Sequence, residues 1–272
     1  MEPRPLTPPE RRGAALRAHR LRSFASGRPR GSLAARFHDA LTPRAGEVEL
    51  AWYRERLPRD AGTTLAAMCG SGWLLLPLLR EGFAVHGVDT SEAVLERCAE
   101  RCRIGGFRPQ LFRQDVAALN LPFRYAAAFV PAGSFQLLPR PAARDALASL
   151  RAHLVEPSIL LLDLFVPEAV AHPPGAPVVE VDHVALEDAS LFVRRSETLI
   201  DANRRQILTT SRYEQRVAGR IVAREDEAQA LTWYVEEEIA AMLRDEGYRD
   251  VRIETAAWPS PPGRHFAVCA RG

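Results

Sequence analysis

The chain has 272 residues, 47% hydrophobic and 26% charged, a balance that suits one large domain or a domain with a substantial insertion and excludes wholesale disorder. A formal charge of +2, from 36 basic against 34 acidic side chains, is too small to bind nucleic acid by electrostatics alone. None of the basic residues is lysine, which excludes P-loop phosphate binding, pyridoxal-phosphate Schiff-base chemistry and lysine aldolase chemistry, because an arginine stays protonated and is no nucleophile.

Residues 1–36 set five prolines and nine arginines among Ala and Ser, the composition of a solvated basic arm. It lacks the aromatic interleaving that base stacking needs, so nucleic acid is disfavoured as a partner. No apolar secretory core opens the chain and no apolar run reaches the length of a membrane span; the expectation is a cytoplasmic protein with no membrane partner.

From Thr63 the pattern alternates between short apolar runs and helical stretches, the mark of a parallel sheet with crossover helices. Residues 63–68 predict a first strand, closed by Cys69-Gly70-Ser71-Gly72. A helix over 73–81 ends at Gly82, 83–89 is a second strand, and Thr90 or Ser91 caps a helix that runs to 103 with Glu92 at its positive end. Strands follow at 110–115 and 125–131, then a helix over 140–154 and a fifth strand at 158–166, an apolar run broken by Asp163. Between 177 and 234 the period changes to two, with runs at 178–186, 191–200, 206–217 and 221–234, which predicts an inserted antiparallel meander. A helix over 236–246 and strands at 251–258 and 265–270 complete the sheet. The expected fold is α/β, a doubly wound, Rossmann-like seven-stranded sheet formed by 37–170 and 235–272, with 171–234 as a β insertion.

The chemistry concentrates at the carboxyl ends of the first strands. Gly70 and Gly72 let backbone approach a ligand that side chains would exclude, and the following helix points its positive end at it. Asp89 ends the second strand 21 residues past Met68, close to the interval at which an acid reaches ribose hydroxyls, and Asp115 ends the third strand. Two such carboxylates suit a nucleoside, one on the ribose diol and one near the adenine amino group; taken singly, each also suits helix capping. A dinucleotide fingerprint needs Gly or Ala at position 75, which is Leu75, so a nicotinamide or flavin cofactor is disfavoured. Cys98 and Cys102 lie four apart on one predicted helix without further ligands, so no metal is expected. The arginines of the meander suit either a phosphate or carboxylate on a ligand or solvated strand faces.

With these motifs the sequence resembles the class I S-adenosylmethionine-dependent methyltransferases from about Phe37 to its end. The run 65–72, Leu-Ala-Ala-Met-Cys-Gly-Ser-Gly, stands at the glycine-rich motif, 87–91 at the acidic ribose motif and 114–116 at the adenine motif. The resemblance implies donor contacts from Met68, Cys69, Gly70, Ser71, Gly72, Asp89, Thr90, Asp115, Val116 and Pro131, with S-adenosylhomocysteine as product. Residues 130–136 resemble the loop facing the methyl group, which implies that Ser134, Phe135 and Gln136 meet the acceptor. Trp233, Tyr234 and Trp258 suit either an apolar acceptor wall or packing of the meander onto the sheet, with packing favoured for Trp233, and with Tyr234 and Trp258 as the expected acceptor contacts. The meander resembles that of a subgroup with small-molecule acceptors, including glycine and amino-sugar N-methyltransferases. His38-Asp39 falls in an amino-terminal segment that closes over the donor in such relatives, and His38 is the candidate proton acceptor, with His265 as a second.

Three positions depart from the family: Ala66 replaces an acid that helps hold the donor's amino group, Met68 the first glycine, and Ala126 a frequent Asp. Loss of one charged hydrogen bond at 66 corresponds to roughly 1.5–3 kcal/mol, up to about a hundredfold in donor affinity. The reading is a small-molecule N- or O-methyltransferase, with a homodimer allowed. Its alternative is a methyltransferase fold with a degraded donor site, repurposed for other chemistry or serving as a binding subunit.

Overall fold

Four buried residues in a row, Thr64 to Ala67, make β1 (Thr64–Ala67) a strand covered on both faces, the requirement for the centre of a parallel sheet. The computed structural model describes residues 31–42, 44–167, 177–186, 189–255 and 263–272. In chain order the elements are α1 (Ser32–Leu41), α2 (Glu47–Arg56), β1, α3 (Leu75–Arg80), β2 (Val85–Asp89), α4 (Glu92–Ile104), β3 (Leu111–Arg113), β4 (Tyr125–Val130), a 3₁₀ turn (Ser134–Leu137), α5 (Arg140–Ala152) and β5 (Leu154–Pro167). Then come β6 (Val178–Ala185), β7 (Leu191–Asp201), β8 (Gln206–Val217), β9 (Arg220–Thr232), α6 (Glu236–Asp245), β10 (Arg249–Thr255) and β11 (Gly263–Arg271).

The main sheet has seven strands in the order β10-β11-β5-β4-β1-β2-β3. β3, β2, β1, β4 and β5 pair in parallel, while β11 runs antiparallel to β5 and to β10. Leu65 and Ala67 face the core shared with α5 and α6, and Ala66 faces the opposite core beneath α2, α3 and α4. The strand order reverses between β1 and β4, so a crevice opens at their carboxyl ends, where open α/β sheets bind ligands.

The meander forms a separate four-stranded sheet, β6-β7-β8-β9, antiparallel throughout. Helix α1 lies on one of its faces, packing Leu33, Ala34 and Phe37 against Phe192 and Tyr213. Its first amides, Leu33 N and Ala34 N, donate to the carboxylate of Glu225 on β9 at 2.9 and 3.2 Å, so the sheet caps the helix. Among the described residues no helix is long and apolar enough to cross a membrane.

Several boundaries move for local reasons. The glycine turn takes up residues 70–74, so α3 starts at Leu75; α5 ends at Ala152, and Leu154 already pairs with Tyr125. The third strand shrinks to Leu111–Arg113 because the Asp115 carboxylate accepts from Ala117 N at 2.9 Å and caps a 3₁₀ turn. Ser91, not Thr90, caps α4, accepting from Val94 N at 3.4 Å. Helix α1 begins inside the segment read as a basic arm, whose residues 1–30 lie outside the described residues, as does Trp258. Helix α2 has no counterpart in the sequence expectations.

Gly72 shows how tightly the turn is built. It holds φ +81°, and a Cβ there would stand 2.7 Å from Cys98 Sγ on α4. A substitution thus meets both backbone strain and overpacking, roughly 2–5 kcal/mol together. The expected result for Gly72→Ala is an unfolding midpoint lowered by about 5–15 °C in a thermal melt.

Candidate functional site

Three left-handed residues shape the turn after β1: Met68 at φ 54°, Gly70 at 54° and Gly72 at 81°. Met68 holds a conformation that a glycine adopts freely, at a cost of about 1–2 kcal/mol. Gly70 leaves open space where a Cβ would stand, so bare backbone faces the crevice. Asp89, half-buried at the end of β2, accepts from Gly70 N at 2.9 Å through one carboxylate oxygen and from Ser91 N at 3.0 Å through the other. Each oxygen keeps a lone pair for a further donor such as a ribose hydroxyl. Cys69 is buried and Ser71 half-buried in the same turn, and Thr90 is exposed beside Asp89. Asp115 is exposed at the end of β3 and Val116 is buried behind it; Pro131 is buried at the end of β4. A bare glycine turn beside a carboxylate with spare acceptor capacity fits an adenosyl ligand.

Helix α1 reaches this turn through Asp39. Its carboxylate accepts from Ser71 Oγ, from Arg97 Nε and from Arg101 Nη1, the last at 3.0 Å, joining α1, the glycine turn and α4. His38, one residue earlier, turns instead to the meander, where its Nε2 lies 3.1 Å from Tyr213 Oη. The Tyr213 hydroxyl donates to Glu227 Oε2 at 2.9 Å, so it accepts from His38, which assigns the proton to Nε2.

The loop after β4 is held from beneath. Ala132 and Gly133 both have left-handed φ, 57° and 63°, and their amides donate to the two carboxylate oxygens of Asp163, Ala132 N at 2.8 Å. Tyr53 Oη on α2 donates to the same carboxylate at 3.1 Å. Burial raises the pKa of Asp163, and the Gly133 and Ala132 amides restrain the rise. Gln136 Oε1 accepts from Phe165 N, and its Nε2 donates to Phe165 O, both at 2.9 Å, and to Thr232 O at 3.5 Å.

This arrangement alters the reading of the acceptor wall. Phe135, Gln136 and Tyr234 are each fully buried. Phe135 packs on Tyr234 with ring centroids 5.9 Å apart, and Gln136 ties the loop to β5 and β9, so these side chains shape the loop from behind and offer no surface. The Tyr234 hydroxyl is buried without a hydrogen-bond partner among the described residues, and its pKa is pushed up to about 12 by burial. Ser134 stays half-buried, and His265 stacks on Phe165 at 5.6 Å.

Sequence reasoning passed over α2 and the role of Asp163. Glu49 on α2 is 4% exposed, one helical turn before Tyr53. Burial, reinforced by the Asp163 charge, pushes its carboxyl up to about 8. Two signals were available: an Asp inside an apolar strand, and Leu50, Tyr53 and Leu57 at helical spacing.

Comparison with known proteins agrees with this geometry. Residues 65–156 match the sequence family described as a methyltransferase domain. The fold superposes on an S-adenosylmethionine-dependent methyltransferase from Clostridium acetobutylicum with a TM-score of 0.68 at 16% identity, covering 87% of this chain and 96% of the other. The sugar N-methyltransferase KedS8 from Streptoalloteichus gives 0.64 at 21%, covering 84% and 88%. The amino pentose methyltransferase CalS10 from Micromonospora echinaspora, solved with S-adenosylmethionine bound, gives 0.60 at 20%, covering 100% of each. No protein with a curated description matches at the level of sequence. The chain thus has the class I methyltransferase fold. Residues 65–156 match a methyltransferase domain, and the chain has the fold of the S-adenosylmethionine-dependent methyltransferases it superposes on.

Proposed function

We propose that the protein methylates a nitrogen or oxygen nucleophile of a small molecule, an amino sugar or a similar polar amine, in a chamber between the glycine turn and the inner face of the second sheet. The observation that carries this reading is the pair His38-Asp39. One helix binds the glycine turn through Asp39 and presents a His38-Tyr213-Glu227 hydrogen-bond chain from the meander. The bound donor supplies an electrophilic methyl group on a sulfonium. In this reading the backbone of Met68, Cys69, Gly70, Ser71 and Gly72 holds its amino-acid end, Asp89 and Thr90 the ribose, and Asp115 and Val116 the adenine. Pro131 and Ser134 border the methyl group.

Little covalent help is required of the protein, since alignment and exclusion of water supply most of the acceleration. A protonated amine must lose a proton before it attacks. His38 takes that proton, and Glu227 steadies the imidazolium through the Tyr213 phenol. The similarity to sugar and amino pentose methyltransferases supports the acceptor class.

The test is titration with S-adenosylmethionine and S-adenosylhomocysteine, followed by mass-spectrometric screening of amino sugars and simple amines for a gain of one methyl. Both adenosyl ligands are expected to bind. Absence of binding at millimolar ligand overturns the reading. With a working acceptor, Tyr213→Phe removes the link to Glu227 and is expected to lower kcat/KM by about 10–100-fold, while donor affinity stays within about twofold.

A further inference from the structure

Two carboxylates share the interior beneath the crevice, and the protein satisfies them unequally. Asp163 accepts from two backbone amides and from the Tyr53 hydroxyl. Glu49 is 4% exposed and has neither a hydrogen bond nor an ion pair to any described residue. Burying an ionisable group without a donor is strongly unfavourable, and a cation bearing N–H donors completes such a site.

The position says which cation. The approach to α2 hangs from the glycine turn, with Ala45 N donating to Trp73 O at 3.2 Å, and Glu49 lies one helical turn further on. The indole N–H of Trp73 is itself buried without an acceptor among the described residues. Ala66 on β1 belongs to the same core group as Ala45, Leu50 and Tyr53 and ends at its Cβ, so β1 brings no charge to this side of the turn. The polar wall of Tyr213 and Glu227 belongs to the other sheet, with His38 on α1 packed against it, which separates this site from the proposed acceptor surface.

We infer that Glu49 receives the amino group at the amino-acid end of the donor, delivering from α2 the negative charge that β1 lacks at Ala66. The inference rests on the reading of the glycine turn as a donor site. An ammonium brings three N–H donors to the carboxylate that has none, whereas Asp163 already accepts from two amides and a hydroxyl.

The experiment measures, by calorimetry, binding of S-adenosylhomocysteine and of its deamino analogue to wild type and to Glu49→Gln. Wild type is expected to bind the deamino analogue about 10–100-fold more weakly than S-adenosylhomocysteine, and Glu49→Gln is expected to bind the two within about twofold of each other. The same 10–100-fold preference in both proteins overturns the assignment while leaving the donor site standing. Equal binding of the two ligands by wild type overturns it as well, and failure of wild type to bind either one removes the donor reading itself. Because the wild-type comparison varies only the ligand, it stands even where the variant folds poorly.

Discussion

Asp163→Asn is expected to lower the thermal unfolding midpoint by roughly 5–15 °C and turnover by about 10–100-fold, with donor affinity little changed. Both carboxylate oxygens are engaged, one by Ala132 N and the other by Gly133 N, with Tyr53 Oη added to the first. An asparagine keeps one oxygen and presents an NH₂ in place of the second. One backbone amide then faces a donor in a buried position, which costs about 1–3 kcal/mol beyond the loss of a charge-assisted bond. Relief of burying the charge offsets part of this, leaving about 2–4 kcal/mol, and a domain of this size loses about 2–4 °C per kcal/mol. The effect on turnover has a separate origin. Ala132 and Gly133 both hold left-handed conformations, and the carboxylate keeps these two adjacent residues in place. Without it the loop proposed to border the methyl group loses its alignment, and misplacement of about 1 Å is enough for a hundredfold loss. Thermal melts, donor titration and steady-state kinetics on the same preparation separate the three quantities. A variant with normal turnover would show that the loop holds its shape without Asp163.

The second large effect is a pH dependence of the ligand-free protein that disappears in Glu49→Gln. Burial and then the Asp163 charge push the Glu49 carboxyl up to about 8. A folded-state pKa raised above the unfolded value favours the protonated form in the native state. The stability it contributes is fully present below about pH 4.5 and is lost as pH rises through about 8. At 1.36 kcal/mol per unit, the loss across that window is on the order of 3–5 kcal/mol. The groups that set the local field are Asp163 on β5, Tyr53 on α2 and, acting on Asp163, His265 on β11. Other groups titrate in the same range, His86 among them with its pKa lowered by burial, so the readable quantity is the difference between wild type and variant. Urea unfolding at pH 5, 6.5 and 8 is expected to show Glu49→Gln gaining on wild type at each step. Parallel curves would mean that Glu49 titrates as an ordinary carboxylate.

Much of the scaffold was legible in the residues. The meander strands were placed within about two residues at each end, because an antiparallel sheet with one covered face alternates with period two and each turn interrupts the alternation. The glycine turn and Asp89 were legible for a related reason, since a left-handed backbone and a strand-end carboxylate are local demands met by particular residue types. Helix α2 escaped because Glu47, Glu49, Arg54, Glu55 and Arg56 crowd ten residues and blur the apolar stripe of Leu50 and Tyr53. Phe135 and Gln136 read as acceptor contacts because residues 130–136 resemble a methyl-facing loop; that their side chains are buried against β5 and β9 depends on tertiary packing.

Local conformation and periodicity, which a linear sequence carries in full, determined by themselves the α/β sheet, the inserted meander and the glycine turn with its neighbouring carboxylate. Tertiary structure decided the state of each polar group, because burial and partnership depend on residues far away in the chain. Tyr53 meets Asp163 across 110 residues, Gln136 meets Thr232 across 96, and His38 meets Tyr213 across 175. In the sequence Glu49 is one of several charges on a short helix. Folded against β5, it becomes a buried carboxylate with no hydrogen-bond partner among the described residues.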